Sequence, residues 1–477
     1  MSTLPVLRRT QPRRPVRILQ IGGGNFLRGF FDWMVDVANE KGLTDSGIAI
    51  MQTVGGGLPE ALAAQDMLYT VLVRGLQDGR EIDERRIVSS VSDAFSAADG
   101  WNRALAYAAD PALEIIVSNT TESGIVDVEE PPPGATAPAS FPAKLTALLA
   151  ARHALGGGAG LLVLPCELIP RQGRTLKRIV AGHARRWQFG DDFLAWLERD
   201  VAFVDTLVDR IVPGYPSRDI EALQAAWGIR DPLAVAVEPF HLLVVEAPAE
   251  LEHRLPLRQA GLNVVWTDDL EPYRVRKVRI LNGAHSATAL AAFLAGLDTV
   301  KSIIDDPQFA AFLRRVLDDE IVPFLPLDEA ECRSYAQSVL ERFANPYLQH
   351  DLLAISLNST SKWRIRILPS LKAALAAHGT LPGGLVFSLA ALIRFIRGGP
   401  DEAGRNFPVR DDRAAIEAIT AAWRRHGSDM VTLVRDVFAS RAIWGEDLNA
   451  IAGLAERTAR DLALIERAGV RQALAAL

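Results

Sequence analysis

The chain has 477 residues, which is more than one ordinary domain holds and predicts two or three domains. Hydrophobic residues make up 49% and charged residues 23%, as is usual in globular proteins. The formal net charge of −6 (52 Lys and Arg against 58 Asp and Glu) excludes a global basic field that would attract nucleic acid or an anionic membrane.

Neither a targeting segment nor a disulfide framework is indicated. The N-terminus lacks the apolar stretch of a signal peptide, and the longest apolar segments, 287–297 and 385–393, are shorter than the ~20 residues of a spanning helix. The two cysteines, Cys166 and Cys332, fit a reducing compartment. We expect a soluble cytoplasmic protein that binds neither nucleic acid nor a membrane and is a monomer or a small homo-oligomer.

A strand, a glycine turn and a helix are predicted near the start of the chain. Residues 17–21 have the pattern of a short buried strand, 22–24 are glycines, and a helical pattern then runs to about residue 41. Glycines let the backbone approach a pyrophosphate, and free amides at the helix start point toward it. Leu27 stands where the usual dinucleotide motif has its third glycine, and a glycine cluster alone is equally typical of a plain turn.

Further strands follow, and polar residues stand at the end of two of them. The strand over 48–53 ends in Gln52 and Thr53 rather than in the acidic residue expected for NAD, which leaves NAD against NADP open. Residues 118–122 follow the strand 114–117, at the edge where open α/β sheets place ligands, although capping of a helix or turn explains them as well. The other predicted strands are 69–74 and 87–91, joined by a turn at Asp78 and Gly79, then 161–164, 235–237, 242–245 and 262–266.

From residue 271 onward long helical patterns replace the strands. The change predicts an α/β domain over residues 1–268 and a mostly helical domain over 269–477, with a cleft between them. After a first helix that begins near Pro272, the predicted helices are 303–317, 329–343, 371–378, 384–397, 413–425, 430–439 and 450–475.

The first of these helices carries Lys277, Asn282 and His285. At ~100° per residue, Asn282 lies ~140° and His285 ~80° from Lys277, so one broad face presents an amine, an amide and an imidazole. Such groups handle protons and polarise carbonyls. The alternative is an ordinary helix with a solvated lysine, a polar asparagine and a core or surface histidine.

A second polar segment, 358–366, contains three cations, Lys362, Arg364 and Arg366. Their alternation is typical of a solvated strand or loop face, and equally of a clamp for a carboxylate or phosphate. Upstream, Asp209 and Arg210 stand between apolar residues, where an Asp-Arg pair is usually a structural ion pair.

Seven segments of the chain together have the pattern of one enzyme family. They are 22–28, 118–125, 165–169, 207–216, 277–285, 345–347 and 364–369. By these segments the chain resembles, nearly end to end, the long-chain polyol dehydrogenase (mannitol dehydrogenase-like) family.

The resemblance implies a Rossmann-type N-terminal domain, a helical C-terminal domain, NAD as the cofactor and no metal. It implies that Lys277 is the general acid and base, that Asn282 and His285 hydrogen-bond the reacting oxygen, and that Asp209 lies near the substrate. The candidate cofactor-binding residues are Ile21, Gly22, Gly24, Asn25, Phe26, Thr53, Asn119, Thr120 and Glu122.

One departure bears on the substrate. Mannitol-type members of the family carry Cys-Asp-Asn where this chain has Cys166, Glu167 and Leu168, which counts against mannitol and favours the hexuronate branch. The carboxylate of a sugar acid needs a cation, and Lys362, Arg364 and Arg366 are the candidates. A particular hexuronate is not singled out, and a neutral polyol stays open as the substrate. A nucleotide-binding regulatory protein with the same fold stays open as an alternative to an enzyme.

Overall fold

The computed structural model describes residues 4–120, 124–156 and 160–477. The chain divides into two compact units, the first comprising Met1–Arg74 and Glu81–Leu270, the second Gly75–Arg80 and Glu271–Leu477. Within the described residues, no helix has both the length and the apolar character needed to cross a lipid bilayer.

The strands belong to three sheets. They are β1 Val16–Ile21, β2 Gly47–Gln52, β3 Tyr69–Gln77, β4 Arg80–Val88, β5 Val91–Ser96, β6 Ile115–Ser118, β7 Leu161–Pro165, β8 Val201–Phe203, β9 Asp205–Asp209, β10 Val235–Val237, β11 Leu242–Glu246 and β12 Val264–Thr267. In the described residues the largest sheet has six parallel strands in the order β5-β2-β1-β6-β7-β8. Counted along the chain within this sheet, the order is that of the doubly wound Rossmann fold, which confirms the predicted fold class.

Helices cover both faces of this sheet. The helices of the first unit are α1 Asn25–Gly29, α2 Phe31–Glu40, α3 Leu58–Ala64, α4 Trp101–Ala109, α5 Phe141–Ala154, α6 Gln172–Arg186, α7 Asp191–Asp200 and α8 Ile220–Trp227. Ile18 packs in the core that contains Phe31 of α2, whereas the next residue, Leu19, packs in the core that contains Leu145 of α5. Because both faces are buried, the strands are continuous apolar runs rather than alternating ones.

Two smaller sheets complete the strand structure, one ordered β10-β3-β4 and the other β12-β11-β9. The turn between β3 and β4 lies at Asp78 and Gly79, as predicted, and both residues have positive φ, 53° and 71°. The predicted strand over 87–91 is wrong. It joins the end of β4 to the start of β5, and the sequence pattern missed β5 as a separate strand.

The second unit is built from helices. They are α9 Glu271–Arg276, α10 Gly283–Leu294, α11 Val300–Asp305, α12 Pro307–Arg315, α13 Glu329–Phe343, α14 Leu352–Ile355, α15 Ser359–Arg366, α16 Leu368–His378, α17 Gly383–Arg397, α18 Arg413–His426, α19 Met430–Phe438, α20 Arg441–Trp444, α21 Leu454–Ala468 and α22 Val470–Ala475. Two π-helical turns, Lys277–Asn282 and Val316–Ile321, interrupt this series. Helix α17 is buried along nearly its whole length.

Two predicted helices are divided in the structure. Residues 303–317 were expected to form one helix, but Asp306 caps a new helix at Pro307 by accepting hydrogen bonds from the amides of Gln308 and Phe309. The predicted helix over 450–475 is broken at Gly469, whose φ of 85° is outside the helical region.

Candidate active site

The glycine turn after β1 is closely packed at two positions, and its backbone at the first of them favours glycine. Gly22 has a φ of 103°, and a Cβ atom there would lie 3.2 Å from the carbonyl oxygen of Asn119. A Cβ on Gly23 would lie 2.1 Å from a methyl carbon of Leu58. Since Ile21 pairs with Ser118, the turn lies beside the end of β6, where the strand order reverses and open α/β sheets bind ligands.

Arg28 braces this turn, a role that the sequence analysis missed. Its Nε donates to the carbonyl of Gly23 (3.2 Å), its Nη2 to Oδ1 of Asn25 (2.5 Å) and its Nη1 to the carbonyl of Leu233 (2.7 Å). The side chain is buried, and burial lowers the pKa of its guanidinium. The turn is thus held by a buried arginine, while Leu27, in place of a third glycine, packs in the core.

The turn lies at one side of a cavity of about 890 Å³ in the first unit. The predicted cofactor residues that line it are Gly22, Gly24, Asn25, Thr53, Asn119 and Thr120. Ile21 is fully buried in the sheet, and Phe26 stacks on Phe30 with 5.0 Å between ring centroids. Glu122 lies outside the described residues. Lining residues that were not predicted include the glycines 55–57, Ser140 and Lys144.

Glu167 fixes the segment that follows β6. Its carboxylate accepts hydrogen bonds from the amide and the hydroxyl of Thr120 (2.9 and 3.0 Å) and from the hydroxyl of Ser118 (3.2 Å). Asn119 is fixed next to it, because its Nδ2 donates to the carbonyl of Cys166 (2.7 Å). Burial raises the pKa of Glu167, and the hydrogen bonds from Thr120 and Ser118 oppose that rise.

We expect the Glu167→Ala variant to bind NADH about tenfold more weakly, because Thr120 loses the two hydrogen bonds that hold it at the cavity. Tenfold corresponds to about 1.4 kcal/mol of binding free energy. Titration of protein fluorescence with NADH measures the change. Glu167→Gln keeps an acceptor oxygen and should stay within about threefold of the wild type. Equal affinities of the wild type and the alanine variant would contradict this role.

In the second unit, Lys277 and Asn282 are the two ends of a π-helical turn. An α-helix was predicted here, in which these two residues lie ~140° apart on one broad face. In a π-turn residue i hydrogen-bonds to residue i+5, so positions five apart lie nearly above one another. The π-turn therefore brings Lys277 and Asn282 toward one side of the helix, whereas an α-helix separates them by ~140°.

His285, in the first turn of α10, is buried in an aromatic and basic environment. Its ring stacks on Phe343 (4.3 Å between centroids, 20° between planes) and meets the ring of His350 edge-on (5.0 Å, 75°). Burial holds the pKa of His285 well below its usual range, and His350, Arg366, Arg342 and Lys362 lower it further. Nε2 of this neutral ring has no hydrogen-bond partner in the part of the chain that the structure describes.

The three predicted cations of 358–366 are not one set. They lie on a helix, α15, and not on the strand or loop that the alternation suggested. Lys362 and Arg366 are four residues apart and share a face. Nζ of Lys362 donates to the carbonyl of Ile355 (3.0 Å). Nη1 of Arg366 donates to the hydroxyl of Ser286, the neighbour of His285 (3.2 Å).

Arg364 points elsewhere on α15 and donates to the carbonyl of Ile443 (3.3 Å). Lys362, by contrast, lines the same small cavity as His285 and Ser286. The structure thus groups Lys362 and Arg366, but not Arg364, with His285.

Asp209 and Arg210 lie at the end of β9 in the first unit. Asp209 is buried and stands opposite Leu242 of β11. The guanidinium of Arg210 donates to the carbonyls of Glu238 and Gly29, both at 2.9 Å, and lies over the ring of Trp33. Arg210 therefore ties β9 to the segment that joins α1 and α2.

Known proteins resemble the chain over almost its whole length. Altronate oxidoreductase of Yersinia enterocolitica is 42% identical over 478 residues, covering 98% of this chain and 99% of the relative. Altronate oxidoreductase of Halalkalibacterium halodurans is 39% identical, covering 98% of this chain and 94% of the relative.

Solved structures show the same fold at lower identity. A substrate-free D-sorbitol dehydrogenase is 22% identical with a TM-score of 0.81, covering 99% of this chain and 98% of the other. A Pseudomonas fluorescens mannitol 2-dehydrogenase, in a ternary complex with NAD and D-mannitol, is 24% identical with a TM-score of 0.73, covering 99% and 96%.

Two family models match consecutive parts of the chain. The mannitol dehydrogenase Rossmann domain matches residues 16–259, which contain the six-stranded sheet and the glycine turn. The mannitol dehydrogenase C-terminal domain matches residues 269–466, which contain Lys277, Asn282 and His285. With both models matched in order, and with relatives at about 40% identity over the full length, the chain belongs to the mannitol dehydrogenase family.

Proposed function

We propose that this protein is an NAD(H)-dependent oxidoreductase that interconverts D-tagaturonate and D-altronate by hydride transfer. The observation that carries the proposal is the grouping of a buried, neutral His285 with basic side chains in a chain whose full-length relatives are altronate oxidoreductases. A neutral ring suits a hydrogen bond to a reacting oxygen, and basic neighbours suit a substrate with a negative charge.

The first unit suits a dinucleotide. A Cβ atom on Gly24 would meet no atom of the described residues within 4 Å, so the turn is open to a close-lying pyrophosphate there, and the cavity beside it is large enough for an extended ligand. When bound there, the nicotinamide supplies or accepts a hydride. We propose NAD rather than NADP as the cofactor because the mannitol 2-dehydrogenase that has the same fold was solved in a complex with NAD.

The second unit supplies the polar groups for the reacting carbonyl. When the keto carbon gains a hydride, the C=O electron pair moves to oxygen, and the developing alkoxide needs donors that are fixed in advance. The amide of Asn282 and the Nε2–H tautomer of His285 would donate to this oxygen. Lys277 would then deliver the proton, and in the oxidation direction it would remove the proton from the hydroxyl of altronate.

The substrate's carboxylate would interact with Lys362 and Arg366, which stand near His285. Arg364 is left out of this pair because its guanidinium is bonded to the Ile443 carbonyl. Asp209 is kept as a residue near the substrate because it belongs to the family's Val-Asp-Arg-Ile motif at 208–211.

A panel of tagaturonate, fructuronate and fructose, each with NADH and with NADPH, tests the proposal by the loss of absorbance of the reduced cofactor. We expect tagaturonate with NADH to give the highest kcat/KM. A higher value for fructuronate or fructose would replace the proposed substrate. NADH binding without turnover of any of the three would identify a nucleotide-binding protein that is not a reductase.

A further inference from the structure

Four basic side chains surround the ring of His285, and we call Arg342, His350, Lys362 and Arg366 the basic cluster. They come from three places in the second unit, α13, the segment after it and α15. Each of them lowers the pKa of His285. Basic side chains at such a place suit a substrate that carries a negative charge.

His350 is the member of the cluster that the sequence did not single out. Its backbone is fixed on both sides, since the carbonyl of His350 accepts from the amide of Val300 (3.0 Å) and the amide of Leu352 donates to the carbonyl of Asp298 (2.8 Å). Its ring therefore has a defined place, edge-on to His285 with 5.0 Å between the ring centroids.

The ring nitrogens of His350 differ from the basic groups of Lys362 and Arg366 in their hydrogen bonds. Neither nitrogen of the His350 ring has a hydrogen-bond partner within residues 4–120, 124–156 and 160–477. Lys362 and Arg366, by contrast, donate to Ile355 and Ser286. Burial lowers the pKa of His350, Lys362 adds to this lowering, and Asp351 opposes it. At neutral pH the ring is thus a neutral N–H donor that lies near the cation Lys362.

We propose that His350 donates a hydrogen bond to the carboxylate of the sugar acid, beside Lys362 and Arg366, and that it thereby selects hexuronates over neutral ketoses. This inference rests on the proposed function. The ketone and the carboxylate of tagaturonate are at opposite ends of its carbon chain, so a ring next to His285 but distinct from it suits the second end. A hydrogen bond from a fixed N–H to a carboxylate is of the strong, charge-assisted kind.

The His350→Phe variant tests this role, because phenylalanine keeps a ring against His285 and lacks the N–H. We expect KM for tagaturonate to rise by about tenfold to hundredfold, the range for one hydrogen bond to a charged group, with kcat changed less than about threefold. The kcat/KM for fructose, measured at raised enzyme concentration, should stay within about threefold of the wild type. His350→Gln, which retains an N–H donor, should recover part of the loss.

His378→Phe is the matched control. His378 ends α16 and meets the ring of Phe324 edge-on (5.0 Å, 86°), so the same substitution is made in the same unit against a similar neighbour. It should leave both substrates unchanged. An equal loss for tagaturonate and fructose in His350→Phe would show that His350 only positions His285, and no loss for either would remove it from the site; both results overturn the inference.

Substrate measurements on the wild-type enzyme distinguish a failure of this inference from a failure of the proposed function. If the wild type prefers fructuronate, the proposed substrate is wrong, and the ratio of fructuronate to fructose then tests His350 in the same way. If the wild type turns over neutral ketoses as well as uronates, the selectivity proposed for His350 is wrong even if the reductase activity is right.

Discussion

Turnover of the Lys277→Met variant is expected to fall by about three orders of magnitude, while its affinity for NADH stays that of the wild type. General acid–base catalysis by one side chain contributes about 10²–10⁴-fold, and methionine keeps the length of lysine without a transferable proton. The residues proposed to bind the cofactor belong to the first unit, and Lys277 belongs to the second. The two effects are therefore separable, by steady-state rates for turnover and by fluorescence titration for NADH.

Lys301→Met is the control for this experiment. Lys301 lies on α11 in the same unit and pairs with Asp305 four residues later on an exposed surface, so its loss should cost less than about 1 kcal/mol and leave turnover unchanged. A Lys277→Met enzyme that retains more than a tenth of the wild-type rate would remove Lys277 from the chemistry. Partial recovery of a Lys277→Ala variant by added primary amines would support the proton-transfer role specifically.

The parts of the fold that could be predicted are those set by local sequence. The apolar run before Gly22 predicts a strand buried on both faces, and the glycines after it predict a tight turn, since both depend on neighbouring residues only. The division at Asp306 and Pro307 was equally readable, because an N-cap residue before a proline at the first helical position is a known start signal. The pattern of apolar spacing across 303–317 obscured it.

The parts that could not be predicted depend on tertiary contacts or on a change of helix type. Apolar periodicity does not distinguish an α-turn from a π-turn, so the sequence placed Lys277 and Asn282 on one broad face but not nearly above one another. The contact of Glu167 with Thr120 joins residues 47 positions apart. The alternation that suggested Lys362, Arg364 and Arg366 as one set has the period of a strand, whereas on a helix the middle residue points away.

In the candidate site, too, some residues could be predicted from local sequence and others depend on tertiary contacts. The side chains named from the family pattern include a lysine, an asparagine and a histidine close together in sequence, where one helical segment holds them. His350 is 65 residues after His285 and meets it only through packing of the second unit, so no sequence pattern marked it. Residues that recognise the charge of the substrate are brought together by tertiary packing in the same way. The sequence therefore favoured a sugar acid but did not identify the residues that bind its carboxylate.

The Glu320→Ala variant is expected to be about 2–6 kcal/mol less stable than the wild type, because two buried amides lose their acceptor at a cost of about 1–3 kcal/mol each. Glu320 lies in the second π-turn and is 5% exposed. Its carboxylate accepts from the amides of Gly384 and Leu385, both at 2.8 Å, at the start of α17. The residue before α17, Pro382, makes no side-chain hydrogen bond that would cap this helix. Glu320 therefore accepts from amides that would otherwise be buried without a partner.

A loss of this size should lower the unfolding temperature of the variant by roughly 2–6 °C, measured by circular dichroism at the helical band. An unfolding entropy of about 2.1 cal/mol/K per residue makes 1 kcal/mol correspond to about 1 °C in a chain of 477 residues. Glu329→Ala is the control, because Glu329 is exposed and pairs with Arg333 on the same helix face; its unfolding temperature should change by less than about 1 °C.

A second substitution distinguishes the hydrogen bonds of Glu320 from its volume. Methionine fills nearly the same space without an acceptor, and a Cβ on Gly384 would lie 3.0–3.1 Å from the Glu320 oxygens, so the carboxylate approaches the helix start closely. If the hydrogen bonds stabilise α17, Glu320→Met is nearly as unstable as Glu320→Ala, because both leave two buried amides without a partner. If Glu320→Met unfolds at the temperature of the wild type, packing and not capping accounts for the stability of this helix.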